Sequence, residues 1–242
     1  MIAALRQLLF DPDAFFARRD DLPSGPVGLA VAFGVSTLVT TVLGLALFGI
    51  AGQLTGTVTV DNPAHAPEWA CDGGSGAEFT PTGCDAPATI ERRLGDIFWE
   101  AASDQLVPLL VGLVVVWAGL SVALWVAATL AGGRGSLGET AGVAASGMVP
   151  TVATAAVAGG LLVWFATGAD LSASDPQQVL ATFRALTTGL RGLALTGVQL
   201  LGAAWQAYVW AYGLVHTHDL PTDRAGVAAG AVALLLAAGT LL

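Results

Sequence analysis

The stretch Leu106–Ala131 contains no charged residue. Wound as an α-helix at about 1.5 Å rise per residue, it reaches roughly 39 Å, more than the about 30 Å of a bilayer's hydrocarbon core. A soluble core helix has no need of that length, so a membrane span is the reading that constrains the rest of the chain. A polar turn follows, Gly132-Gly-Arg-Gly-Ser-Leu-Gly-Glu-Thr140, and then a second apolar run with Pro150 near its start. The two runs predict a transmembrane hairpin whose second arm is kinked or opened by the proline. Composition agrees: 55% of the 242 residues are hydrophobic and 11% charged, against about 25% charged in soluble domains.

Charge-free runs recur, and they predict an all-α fold: a polytopic membrane helical bundle with five transmembrane helices plus interfacial amphipathic helices. The spans fall at about 27–50, 106–131, 143–165, 193–215 and 225–242, with an outer loop over 53–104. Residues 1–26 form a separate segment. Ile2, Leu5, Leu8 and Leu9 repeat at helical spacing, while Arg6 and Asp11-Pro12 interrupt the run too early for a signal peptide. Asp11 suits an N-cap with Pro12 at the first helical position. An amphipathic helix lying on the cytoplasmic interface follows. Within the loops, Thr55–Val60 alternates as a short strand would. Ile90, Leu94, Ile97 and Phe98 make a helical stripe, and Val179, Leu180, Phe183 and Leu186 make another, capped by Asp175-Pro176.

Five spans put the termini on opposite sides. The N-terminal side then holds Arg6, Arg18, Arg19, Arg134 and Arg224, and the other side Arg92, Arg93, Arg184 and Arg191. Basic residues favour the cytoplasm, so the expectation is a multi-pass cell-membrane protein with a cytoplasmic N-terminus and an external C-terminus. Cys71 and Cys84 share the outer loop. On an oxidising face they close a disulfide worth about 3 kcal/mol on the loop-entropy account; two free thiols are the alternative. There is no lysine and the net charge is −9, which leaves no basic footprint for nucleic acid. In composition, acidic loops without lysine resemble proteins of extreme halophiles.

The fourth span is the most polar. At 100° per residue Thr196, Gln199, Gln206 and Trp210 share one face, and Trp205, Tyr208 and Tyr212 another. An unsatisfied amide in a bilayer costs several kcal/mol, so this polarity, with Tyr208 and Tyr212 beside it, has three readings. It makes hydrogen bonds between helices, or it lines a cavity for a small ligand, or the Tyr and Trp side chains sit at the membrane interface. No Asp, Glu, Lys or Arg falls inside any span, which argues against ion-coupled transport. Gly226 and Gly230 form a close-packing signature, used within one chain or between two copies. His216, His218, Asp219 and Asp223 are expected on a solvated turn, with the imidazoles near a helix C-terminus, rather than around a metal. No nucleophile–base pair, phosphate loop or HExxH helix is present. The expectation is therefore no catalytic residue, no metal and no cofactor.

Two stretches carry a family resemblance. Phe10-Asp-Pro-Asp-Ala-Phe-Phe16 resembles the Pro-x-x-x-Phe entry of Yip1-domain proteins. The hairpin glycines Gly132, Gly133 and Gly135, with Pro150 beyond them, resemble that family's central hairpin. The five-span layout is similar too, so the resemblance covers nearly the whole chain, as an archaeal, halophile-type member. Eukaryotic members act in vesicle formation and bind small Rab-type GTPases. This chain departs from them: it lacks their long cytoplasmic N-terminal segment and an Asp-Leu-Tyr-Gly-Pro motif, and it adds an acidic outer loop with two cysteines. The resemblance implies the fold and a non-enzymatic scaffold or membrane-organising role. Expected partners are membrane lipids, other membrane or cytoplasmic proteins and a second copy of the chain, with no nucleic acid. A small-molecule channel or transporter, with a polar path along the fourth span, is the alternative.

Overall fold

The computed structural model describes residues 2–18, 25–71, 83–169, 171–172 and 176–241. The N-terminal segment forms α1 (Ile2–Phe10) and α2 (Pro12–Phe16). Asp11 caps α2 as expected, its side chain accepting from the Ala14 N–H at 3.3 Å. A long helix, α3 (Pro26–Ala51), leads to the outer loop, which holds β1 (Thr57–Asp61), α4 (Glu68–Cys71), β2 (Thr89–Arg93) and α5 (Leu94–Asp104). Then come α6 (Leu106–Leu130), α7 (Leu137–Gly147), α8 (Val149–Thr167), α9 (Pro176–Thr187), α10 (Gly189–His218) and α11 (Thr222–Leu241).

Four stretches are long and apolar enough to cross a membrane: Pro26–Ala51, Leu94–Leu130, Leu137–Thr167 and Thr222–Gly239. The chain is thus an all-α integral membrane protein with a small two-stranded sheet. The remaining predicted span, the fourth at about 193–215, lies in α10, whose 30 residues are long enough. Its two glutamines, two tyrosines and two histidines keep it from matching the apolarity of the others.

The predicted kink is present. One helix ends at Gly147 and the next begins at Val149, with Pro150 at its start. Proline brings no N–H for the Ser146 carbonyl one turn back, so the ladder must break there. Three other expectations change. Ile90 belongs to a strand, not to the helical stripe: β2 pairs antiparallel with β1, Val60 facing Ile90, and the helix starts only at Leu94. The sequence predicts that Gly189 and Gly192 together break the chain before the fourth span; Gly192 lies inside α10, and the break falls at Gly189, whose φ is +61°. On α9, Val179 and Leu186 are buried but Leu180 is 49% exposed. The proposed Asp175 cap and Arg19 to Asp21 lie outside the described residues.

Packing follows small residues. Gly28 sits against the Gly142 backbone and Gly159 against Ala46, which brings α3 alongside α7 and α8. At one end of the bundle Leu8, Phe16, Leu124, Ala128, Trp210, Leu214 and several α11 alanines form a core. At the other end Ile50, Leu54, Ala166, Leu171, Val179 and Leu186 form a second, with Phe98 stacked on Phe183 at 5.8 Å. Cys71 and Cys84 are joined as a disulfide with Cα atoms 5.5 Å apart.

Candidate functional site

The helix α10 touches most of the elements that carry polar chemistry, and each of its faces does something different. The first face meets α8. The Gln206 Nε2–H donates to Thr151 Oγ1 at 2.6 Å. Gly202 makes the close approach possible, since a Cβ there would stand 2.8 Å from Thr154 Cγ2. Beside this contact Thr196, Gln199, Gln206, Thr151 and Thr154, flanked by Leu236, line a cleft of about 170 Å³. Gln206 is buried, while Gln199 faces out along the cleft. The helical angle read from sequence thus brings Thr196, Gln199 and Gln206 together. Trp210 leaves that group: it is fully buried and its indole N–H donates to the Ala144 carbonyl at 3.4 Å. With Trp117, whose indole donates to the Ala141 carbonyl at 3.0 Å, it ties the short helix α7 into the bundle.

The second face carries Trp205, Tyr208, Tyr212 and His216. Tyr208 and Tyr212 do not reach the cleft; their rings meet edge to face at 5.2 Å. This face receives the N-terminal helices. The Trp205 indole donates to the Leu9 carbonyl at 2.9 Å, Phe10 packs on Trp205 at 6.0 Å, and His216 Nε2 lies 2.8 Å from Asp13 Oδ1. Sequence reasoning found the aromatic stripe and missed its occupant. The signal was an apolar helix followed by Asp13 and two phenylalanines with no partner assigned.

The third feature is the end of α10, and here the solvated-turn expectation fails for His218. That residue is 1% exposed. The loop after α6 wraps it: the Gly135 N–H donates to His218 Nδ1 at 3.1 Å and the Arg134 N–H to the His218 carbonyl at 3.2 Å. Thr140 Oγ1 lies 2.8 Å from His218 Nε2 and donates its own proton to the Ser136 carbonyl at 2.8 Å. With that proton committed, the imidazole must donate from Nε2 while accepting at Nδ1. These bonds select one neutral tautomer. Burial pushes the His218 pKa below its ordinary 6.5, opposed in part by the Glu139 carboxylate. Glu139 also completes a capping box with Ser136 at the start of α7.

The hairpin glycines acquire a reason from this. Gly132 turns the chain at a φ of +96°. Gly133 and Gly135 instead make room, because a Cβ on either would collide with His218. By contrast, among the described residues a side chain at Gly226 or Gly230 would meet nothing within 4 Å. Among the described residues, no three His, Cys, Asp or Glu side chains are grouped to hold a metal.

No curated protein and no solved structure matches the chain. A family model, the Yip1 domain, matches residues 6–242, which takes in α10, the His218 loop, α2 and the second half of α1. The chain therefore belongs to the Yip1-domain family.

Proposed function

We propose that this protein is a five-span, non-enzymatic membrane scaffold that organises the membrane or other proteins within it. The observation that carries the reading is the use made of α10. Its polar and aromatic side chains bind α8, α7, α1 and α2 to one another, and none is left arranged as an acid, base or nucleophile. The spans are those at about 27–50, 106–131, 143–165, 193–215 and 225–242, with residues 1–26 as the interfacial segment. Five passes are supported by the alternation of helix ends: the end of α6 meets the end of α10 at His218, while α3 passes the start of α6, where Gly44 approaches Leu106, and ends against the start of α5, where Gly95 approaches Ala51. The N-terminus is cytoplasmic and the C-terminus external, a placing supported by the disulfide in the loop assigned to the outside. Partners would dock on the cytoplasmic face, where Ile2 and Phe10 are exposed on the docked N-terminal helices. Crosslinking in native membranes through a photoreactive residue at Ile2 tests this. The scaffold reading expects a discrete protein adduct, and lipid adducts alone would count against it.

The channel or transporter reading has one favouring observation, the cleft beside Gln199 and Gln206. Flux across vesicles containing the purified protein decides between them: the scaffold reading expects none above protein-free vesicles.

A further inference from the structure

The cleft between α8, α10 and α11 holds more hydrogen-bonding capacity than the protein uses. Gln206 commits one amide N–H to Thr151; its carbonyl oxygen accepts nothing from the described residues. Thr37, Thr41 and Thr129 each return their hydroxyl to the carbonyl one helical turn back. Thr196 makes no such bond, and the Gln199 amide has no partner among the described residues. Three polar side chains thus converge on one cavity with donors and acceptors left over beyond the Gln206–Thr151 bond. Gln206 among them is 8% exposed. Groups of this kind, set between apolar helices, demand an occupant.

We propose that this cleft binds an uncharged polyol group, such as glycerol carrying hydroxyl and ester or ether oxygens. The chemistry follows from the lining. No charged side chain faces the cleft, so nothing there recognises a phosphate, a carboxylate or an ammonium. Amides and hydroxyls offer donors and acceptors together, which is what a polyol needs and what a hydrocarbon cannot use. Leu200 and Leu236 supply an apolar wall for the carbon skeleton. A volume of about 170 Å³ accepts one glycerol-sized group, or roughly five waters at about 30 Å³ each. Gly202 and Ala203 keep the floor of the cleft low. The polyol comes either from a neutral lipid or from solution. The inference rests on α10 being a span of the bundle.

The test uses the full chain in detergent micelles and two probes: monoolein, read by native mass spectrometry, and free glycerol, read by saturation-transfer NMR. Thr196→Val with Gln199→Leu is the test variant. Neither residue bonds to the described protein, so the fold is retained, and an intact disulfide and an unchanged melting temperature confirm that. Monoolein binding that weakens at least tenfold in the variant supports a lipid-borne polyol. Glycerol binding that weakens likewise, without monoolein, supports a soluble one. Absence of binding by either probe, or equal binding by wild type and variant, overturns the proposal. The side of the membrane reached by a C-terminal tag is scored on the same preparation, so that a failure of the five-span reading is seen apart from a failure of the site.

Discussion

His218 shows how one residue joins distant parts of the chain. It closes hydrogen bonds to a loop 83 residues earlier, and both ring nitrogens are engaged in the neutral form. Protonation would put a second N–H at Nδ1, facing the Gly135 donor. The folded-state pKa lies below the ordinary 6.5, so below about pH 6.5 the unfolded chain binds a proton that the folded chain refuses. Stability from this group is full above that pH and is lost as pH falls toward the folded value. Thermal unfolding at pH 5 and pH 7.5 should show the drop, and His218→Asn should lessen it. An equal drop in the variant would exclude His218 as the source. The glycines around it make a second prediction. Gly135→Ala would press a methyl against the Thr217 carbonyl and the His218 ring, at a cost of about 1–3 kcal/mol. Gly230→Ala meets nothing and should gain about 0.5–1 kcal/mol in helix propensity. Melting temperatures of the two variants in one detergent should therefore move in opposite directions. None of this was legible in the sequence, where His-Thr-His-Asp before a proline reads as a wet turn. What buries His218 is a loop brought from another helix, and local pattern holds no record of that.

Elements were legible where a charge-free run or a proline decided them. The long helix α6 and the break at Pro150 follow from sequence alone, because no soluble packing needs the first and a proline inside a helix removes one hydrogen bond and kinks or opens it there. The strand β2 was not legible. Ile90, Leu94, Ile97 and Phe98 fit helical spacing, and only pairing with β1, some thirty residues earlier, makes residues 89–93 extended. The docking of α1 and α2 was likewise hidden, since it depends on a tryptophan near the far end of the chain. Trp205→Phe keeps the ring and removes the indole N–H that holds the Leu9 carbonyl, a bond worth about 1 kcal/mol. Amide exchange over Ile2–Phe10 should quicken in that variant while exchange in α6 stays unchanged; no change in α1 would mean the bond does not hold it. Replacing Cys71 and Cys84 by serine should lower the stability of the outer loop by about 3 kcal/mol. The change should be seen as faster exchange in β1 and β2, with the opposite end of the bundle unaffected.

At the scale of the molecule, the account turns on α10. Four stretches are apolar enough to cross a membrane by themselves. α10 carries polar groups that would be costly alone in lipid, and it hides several of them against its neighbours. Gln206 bonds to Thr151, Trp210 to Ala144, and His218 to the loop after α6. A helix so provided for can cross, and the bundle then has an odd number of spans with its termini on opposite faces. An α10 that stayed outside the bilayer would leave four spans and both termini on one face. The direct measurement is protease protection of one tag at each end of the chain in sealed inside-out vesicles, where the cytoplasmic face is outermost. The five-span account predicts that the N-terminal tag is digested and the C-terminal tag survives until detergent is added. Digestion of both tags, or protection of both, would contradict it.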